Sequence, residues 1–317
     1  MRHLLVSAAT LALIGSMVGS TAAVGGPKQP TAASFDPEFA YSYASSNYVD
    51  LRLANRAGTA AILVNRSTSG GTFDVSPPVA DQPNRIVYGA DKNLWYRTWT
   101  KVAGQPISIG SPILIMSGGF SESPDVSPDG RRVVFLTNVY EPLGGIALYD
   151  FNAPSGTDNP RSVLNGYAVY SVRWSPSGDA LYFLGTLGGA GSAKIWRLDM
   201  TTPAATPTEY FSTPGQPFNM DVSRPQGDPS KDLLVFDEYG GGMNFVNLAG
   251  AYVAREENWG TSAHFNCSNT QIVHRLYGSG RGDRLVKITT LADGASETWS
   301  KDGNIRNLDW VTRSPCP

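Results

Sequence analysis

Two stretches of this chain are near copies: Ser123 to Thr137 reads SPDVSPDGRRVVFLT, and Ser171 to Gly185 reads SVRWSPSGDALYFLG. Each is a short strand, a turn built on Ser-Pro and Gly, and an apolar strand carrying an aromatic residue. Proline presets φ at the turn's second position, and glycine tolerates the left-handed conformation that closes it. A repeat of this kind constrains a chain strongly, because each copy forms the same small unit and buries its faces on its neighbours.

With the register fixed on the pair before the turn, weaker copies follow: TFDVSPPVADQPNRIVYGA from Thr72, NMDVSRPQGDPSKDLLVFDE from Asn219, SAHFNCSNTQIVHRLY from Ser262 and NLDWVTRSPC from Asn307. The aligned residues are Asp74, Asp125, Arg173, Asp221, His264 and Asp309, at spacings of 51, 48, 48, 43 and 45 residues. Four-stranded propeller blades repeat at roughly 40 to 50 residues. Third-strand signals follow in IALYDF, KIWRLDM, MNFVNL and RLVKITT, after glycine-rich hairpins such as GTLGGAGS and EYGGGM. A poorer fourth strand follows, as at Ile113 to Met116 and Glu209 to Phe211. Composition agrees: 34 glycines, 22 prolines and only 16% charged residues suit many short strands joined by turns.

The two ends predict how the ring closes. FAYSYA at Phe39, YVDLRLAN at Tyr48 and AAILVNR at Ala60 supply three strands of a blade that has no first strand. NIRNLDWV at Asn304 is a first strand with no blade of its own. The expectation is an all-β, six-bladed β-propeller over residues 39–317, with Ile305 to Val311 inserted as the inner strand of the first blade, which hides two sheet edges.

Arg2 and His3 precede an apolar run from Leu4 to Val18 and a run of small residues from Gly19 to Ala23. That order predicts a secretory signal over residues 1–23, cleaved after Ala22 or Ala23, then a short linker over 24–38. The run is shorter than the roughly 20 residues a spanning helix needs, so no stable membrane insertion is expected. The product is expected to be periplasmic or secreted, and a monomer. Loss of Arg2 leaves a net charge near −3 from the −2 of the whole chain, which argues against nucleic acid as a partner. In an oxidising compartment the two cysteines, Cys267 and Cys316, are expected to bridge and clasp the C-terminus.

The repeats SPDVSPDGRRVVFLT and VRWSPSGDALYFLG resemble the PD40 (WD40-like) repeats of TolB-type propellers, whose hallmark is an aromatic-Ser-Pro-Asp-Gly turn. The resemblance covers about Phe39 to the end. It implies a six-bladed propeller with a central channel, a fold often used in exported proteins to bind another protein. TolB carries a further folded domain ahead of its propeller, and only some 15 residues separate the expected cleavage site from Phe39 here.

Equivalent blades would place Asp74, Asp125, Arg173, Asp221, His264 and Asp309 at one height near the channel. Four carboxylates around a narrow passage would attract a hard cation such as Ca²⁺ or a cationic ligand. Alternatively, each aspartate binds backbone N–H groups of its own or the neighbouring turn, and Arg173 neutralises a carboxylate. The hairpins would crowd Asp91, Lys92, Glu141, Glu238 and Arg281 onto one rim with Trp95, Tyr140, Tyr239 and Tyr277, as a recognition surface or as packed turns. Arg281-Gly282-Asp283 reads simply as a hairpin, and Asn65-Arg66-Ser67 and Asn266-Cys267-Ser268 fit the glycosylation sequon. His274 aligns with the aromatic Phe135 and Phe183, which predicts core packing.

No G-x-S-x-G elbow, H-E-x-x-H, Walker loop or dinucleotide fingerprint is present, so no catalytic residue is nominated. The leading expectation is a protein-binding or assembly scaffold with a protein partner. The alternative is a metal-dependent enzyme or small-ligand binder that uses the polar ring at the channel.

Overall fold

The computed structural model describes residues 35–311, except 78, 119–121, 139–143, 155–156, 189–190, 214, 216, 224–227, 229, 239–241, 257–259, 267, 278–283 and 301–303. The signal segment, both cysteines and the Arg281-Gly282-Asp283 hairpin therefore lie outside the described residues. So do Tyr140, Glu141, Tyr239 and the side chain of Tyr277.

Six antiparallel sheets stand around a common axis, one per repeat, with no helix among the described residues. Five have four strands, and the second carries a short extra pairing at its outer edge. The innermost strands are Ile305–Trp310 in blade 1, Gly70–Val75 in blade 2, Glu122–Val126 in blade 3, Tyr167–Trp174 in blade 4, Pro217–Val222 in blade 5 and Thr261–Phe265 in blade 6. The ring closes as the chain ends predict: Ile305–Trp310 pairs with Phe39–Ala44, setting Asp309 opposite Ala40 and Trp310 opposite Phe39. Val311 N then donates to Glu38 O at 2.9 Å.

Among the described residues the core is divided rather than central. Each of six hydrophobic clusters lies between two adjacent blades. A second strand is therefore buried on both faces, which is why it reads as an unbroken apolar run rather than an alternating one. In blade 2, Ile86 and Tyr88 pack toward blade 1, while Val87 between them packs toward blade 3. His274 is buried in the second strand of blade 6, and its Nε2 lies 2.8 Å from Thr289 Oγ1. Aromatic rings meet at the seam between blades 6 and 1: Phe39 lies 4.6 Å from Trp310 of its own blade and 5.1 Å from Trp299 of blade 6, centroid to centroid.

The repeated turn explains its own sequence. Ser76, Ser127, Ser175 and Ser223 are buried, and each hydroxyl accepts the amide that opens the next strand, from Arg85, Arg132, Ala180 and Leu233 respectively. Asn266 does the same for Gln271. Turns also tie to their neighbours: Arg85 donates to Gly130 O at 2.7 Å, and Arg132 to Gly178 O at 3.4 Å while lying over the Trp174 ring.

All six innermost strands share one irregularity. Each slips register by one residue shortly before its aligned position, for example between Val169 and Ser171 in blade 4 and between Thr261 and His264 in blade 6. Such a bulge bends the strand and re-aims its side chains. Ser123 and Ser262, inside two of these bulges, hold φ of 48° and 54°, a region costly for residues with a Cβ.

Candidate functional site

The bulges surround one cavity on the axis, of about 130 Å³. A single water needs roughly 10–15 Å³ on this measure, so the space admits several waters or a small polar group. All six blades line it, and Glu122, Tyr170, Arg173, Asn219, Ser262 and His264 supply much of its chemistry. Asn307 and Asp309 of the closing strand complete the wall. Tyr170, pushed out by its bulge, is 46% exposed.

The aligned residues sit at one height but divide into two groups. Asp74, Asp125 and Asp221 are buried and reach sideways, across the gap between blades. Asp74 Oδ2 accepts from Val126 N at 2.7 Å, Asp125 Oδ2 from Trp174 N at 2.6 Å, and Asp221 Oδ2 from Phe265 N at 3.0 Å. Each carboxylate thus takes the backbone amide just after the aligned position of the next blade. Trp174 Nε1 returns the tie to Asp125 O at 3.1 Å, and Trp310 Nε1 to His264 O at 3.0 Å.

Arg173 and His264 line the cavity instead, and so does Asp309, although it is as buried as the first three. Arg173 cannot accept an amide. It donates from Nε to Asp221 Oδ1 at 3.2 Å, and from Nη1 to Ser123 Oγ at 3.0 Å and Val172 O at 2.7 Å. His264 Nδ1 stands 3.7 Å from Asp309 Oδ1 and 3.9 Å from Asp221 Oδ1. Asp309 Oδ1 accepts its own following amide, Trp310 N, at 2.8 Å. Glu122 faces the channel, yet the wall strips part of its hydration and pushes its carboxyl above the ordinary value. Among the described residues, no three His, Cys, Asp or Glu side chains come together as a metal-ion site.

The rim residues divide as well. Asp91 and Lys92 form a turn with positive φ at both positions, and Asp91 Oδ1 accepts from Thr68 N, Thr68 Oγ1 and Ser69 N. Trp95 packs against the cluster between blades 1 and 2. Glu238 is buried, accepting from Gly215 N and pairing with Arg255 at 3.1 Å. Asn266 is engaged in its turn, its Oδ1 accepting from Thr270 N and Gln271 N. Glu122, Tyr170, Asn219 and Ser262 were not anticipated as site residues. They lie two or three positions before the aligned ones, and only the bulges bring them to the axis.

No family model and no curated protein sequence matches the chain. Among solved structures, TolB from Acinetobacter baumannii superposes with a TM-score of 0.58 at 17% identity, over 88% of this chain and 67% of that one. The chain has a TolB-like six-bladed β-propeller fold. A putative TolB from Agrobacterium tumefaciens matches the TolB-like propeller with a TM-score of 0.56 at 16% identity, over 87% of this chain and 99% of that one. A prolyl endopeptidase structure matches at 0.50 and 14% identity, over 89% of this chain but only 42% of that one. At such identities the likeness is one of fold.

Proposed function

We propose that this TolB-like propeller is an exported scaffold that binds another protein at the open end of its channel. The observation that carries the reading is the convergence of six bulged strands on one polar cavity beside the half-exposed Tyr170. Aromatic and arginine anchors beside a polar depression are what protein interfaces favour. Export rests on the order of residues 1–23 and fits a bridge between Cys267 and Cys316, which non-reducing mass measurement tests: two free thiols would remove it. The binding test places a photo-crosslinking residue at Tyr170 in the native host, identifies the protein captured, and measures its affinity for Tyr170→Ala and Glu122→Gln. A loss of at least about tenfold (about 1.4 kcal/mol) is expected. Unchanged binding by both variants would refute the site.

A second reading has an observation of its own: Glu122 and Asp309 put acidic groups on the cavity wall, with Asp221 close behind. Under it, the channel holds a cation such as Ca²⁺ or a small ligand, for binding or for metal-dependent chemistry. Elemental analysis of the purified protein decides between the two. Stoichiometric metal lost in Glu122→Gln and Asp309→Asn, the two acids of the cavity wall, would replace the scaffold reading.

A further inference from the structure

One buried acid behind the channel wall has no place in either reading. Asp237, on the second strand of blade 5 (Leu233–Glu238), is 1% exposed. Its Oδ2 accepts from Ser262 N at 2.8 Å and from Asn219 Nδ2 at 3.1 Å. Both partners belong to the cavity wall: Asn219 is on the innermost strand of blade 5 and Ser262 on that of blade 6. Asn219 Nδ2 also lies 3.4 Å from Ser262 Oγ. The carboxyl thus spans the gap between two blades and holds the bulge in which Ser262 takes its left-handed φ of 54°.

Both donors are neutral. The other groups on the elements around it are engaged elsewhere. On the innermost strand of blade 5, Asp221 is held by Phe265 N and Arg173. On that of blade 6, the charged neighbours of His264 are Asp221 and Asp309. On the third strand, the residue opposite Asp237 is the buried Met243. Glu238, next along the strand, pairs with Arg255. Register puts Leu136 of blade 3 and Leu184 of blade 4 where blade 5 has Asp237, so the fold tolerates an apolar side chain there.

We propose that Asp237 is a protonation switch in the channel wall: the neutral acid keeps blades 5 and 6 closed against each other, and ionisation loosens the wall around Asn219 and Ser262. Burial is the main cause of a carboxyl pushed up to about 7, and the hydrogen bonds from Ser262 N and Asn219 only partly oppose it. The sign is the reverse of the usual aspartate. The folded state holds its proton more tightly than the unfolded chain, so stability is greatest in acid and falls as pH rises from about 4 to about 7. Any consequence for a ligand rests on the channel being the binding site, whereas the switch itself is tested with no partner present.

The experiment follows the Asp237 side-chain carboxyl by carbon NMR across pH in the full chain, together with hydrogen exchange at Ser262 corrected for intrinsic rate. The expected midpoint lies about three units above an ordinary aspartate, with Ser262 protection falling through the same range. Asp237→Asn should hold Ser262 protection flat with pH. Asp237→Leu, copying blades 3 and 4, should lose the same pH dependence. A midpoint near 4 in the wild type, or a pH dependence of protection that persists in both variants, would overturn the proposal.

Discussion

Removing one of the carboxylates that span adjacent blades should cost far more than an ordinary polar substitution. Asp125 is the sharpest case, because its carboxylate is buried and accepts Trp174 N at 2.6 Å. A hydrogen bond to a charged group contributes about 1.5–3 kcal/mol, and an orphaned buried amide costs about 1–3 kcal/mol. These two figures describe overlapping losses, so about 3 kcal/mol is the expectation for Asp125→Ala. Asp125→Asn keeps an oxygen acceptor while giving up the charge, and should lose about half as much. Urea denaturation followed by tryptophan fluorescence measures both, with Trp174 itself at the broken contact. The difference should persist in a chelator, since a carboxylate bound to an amide needs no metal. A cost for Asp125→Ala below about 0.5 kcal/mol, the range of neutral surface changes, would refute the reasoning. So would a cost that vanishes once metal is stripped.

Three further outcomes follow from the same geometry. Gly260 has φ of 90°, and a Cβ there would lie 1.9 Å from Arg275 O, so Gly260→Ala should cost about 3 kcal/mol or more, read as loss of folded protein or a lowered urea midpoint. Trp310→Ala removes the ring packed 4.6 Å from Phe39 and the donor to His264 O, and should cost about 3–5 kcal/mol by loosening the closing strand. At Asp50, burial raises the carboxyl, but hydrogen bonds from Arg66 and Arg52 outweigh it and hold the group below its ordinary value. Its contribution is therefore present above about pH 4 and lost as pH falls below that, so Asp50→Asn should flatten the acid limb of a stability–pH curve, where Asp237→Asn flattens the neutral one.

The architecture was legible because the turn chemistry is local and repeats. Ser, Pro and Gly announce each turn, the double-sided burial of second strands leaves unbroken apolar runs, and the orphan strands at Phe39 and Ile305 leave one way to close the ring. The place of His274 followed from the same register. The site was only half legible. Alignment found the height of Asp74, Asp125 and Asp221 but not their direction, because an aspartate reads the same whether it faces a channel or the amide of the next blade. Glu122, Tyr170, Asn219 and Ser262 reach the axis through a one-residue slip, and a period-of-two reading of a strand carries no mark of such a slip. Asp237 stands beside Glu238 at the mouth of a glycine-rich hairpin, where acidic residues are ordinarily solvated, so nothing local distinguished it from a rim charge.

The division within the aligned ring suggests how such a propeller acquires a site without losing its fold. Asp74, Asp125 and Asp221 secure the steps from blade 2 to 3, 3 to 4 and 5 to 6, and none of the three lines the cavity. Arg173, His264 and Asp309 stand at the other three steps, and all three do. Where an aspartate spans the gap, its charge is consumed by a backbone amide. Where the position holds Arg173 or His264, polar chemistry faces the axis, while Asp309 stays buried at the wall and takes its own following amide. Stability at those steps is carried by other contacts: the pair between Arg173 and Asp221, the Trp310 tie to His264 O, and the donation of Arg275 to Arg306 O at 2.6 Å and of Asn307 to Gly71 O at 2.8 Å. Arg173→Asp should therefore restore the repeat's own contact to Val222 N while deleting the cation from the cavity. The expected outcome is a folded propeller with altered binding, measured by denaturation and by affinity for the crosslinked partner. If Arg173→Asp instead unfolds the chain while Tyr170→Ala leaves binding intact, the ring positions serve the fold alone and the channel is not the site.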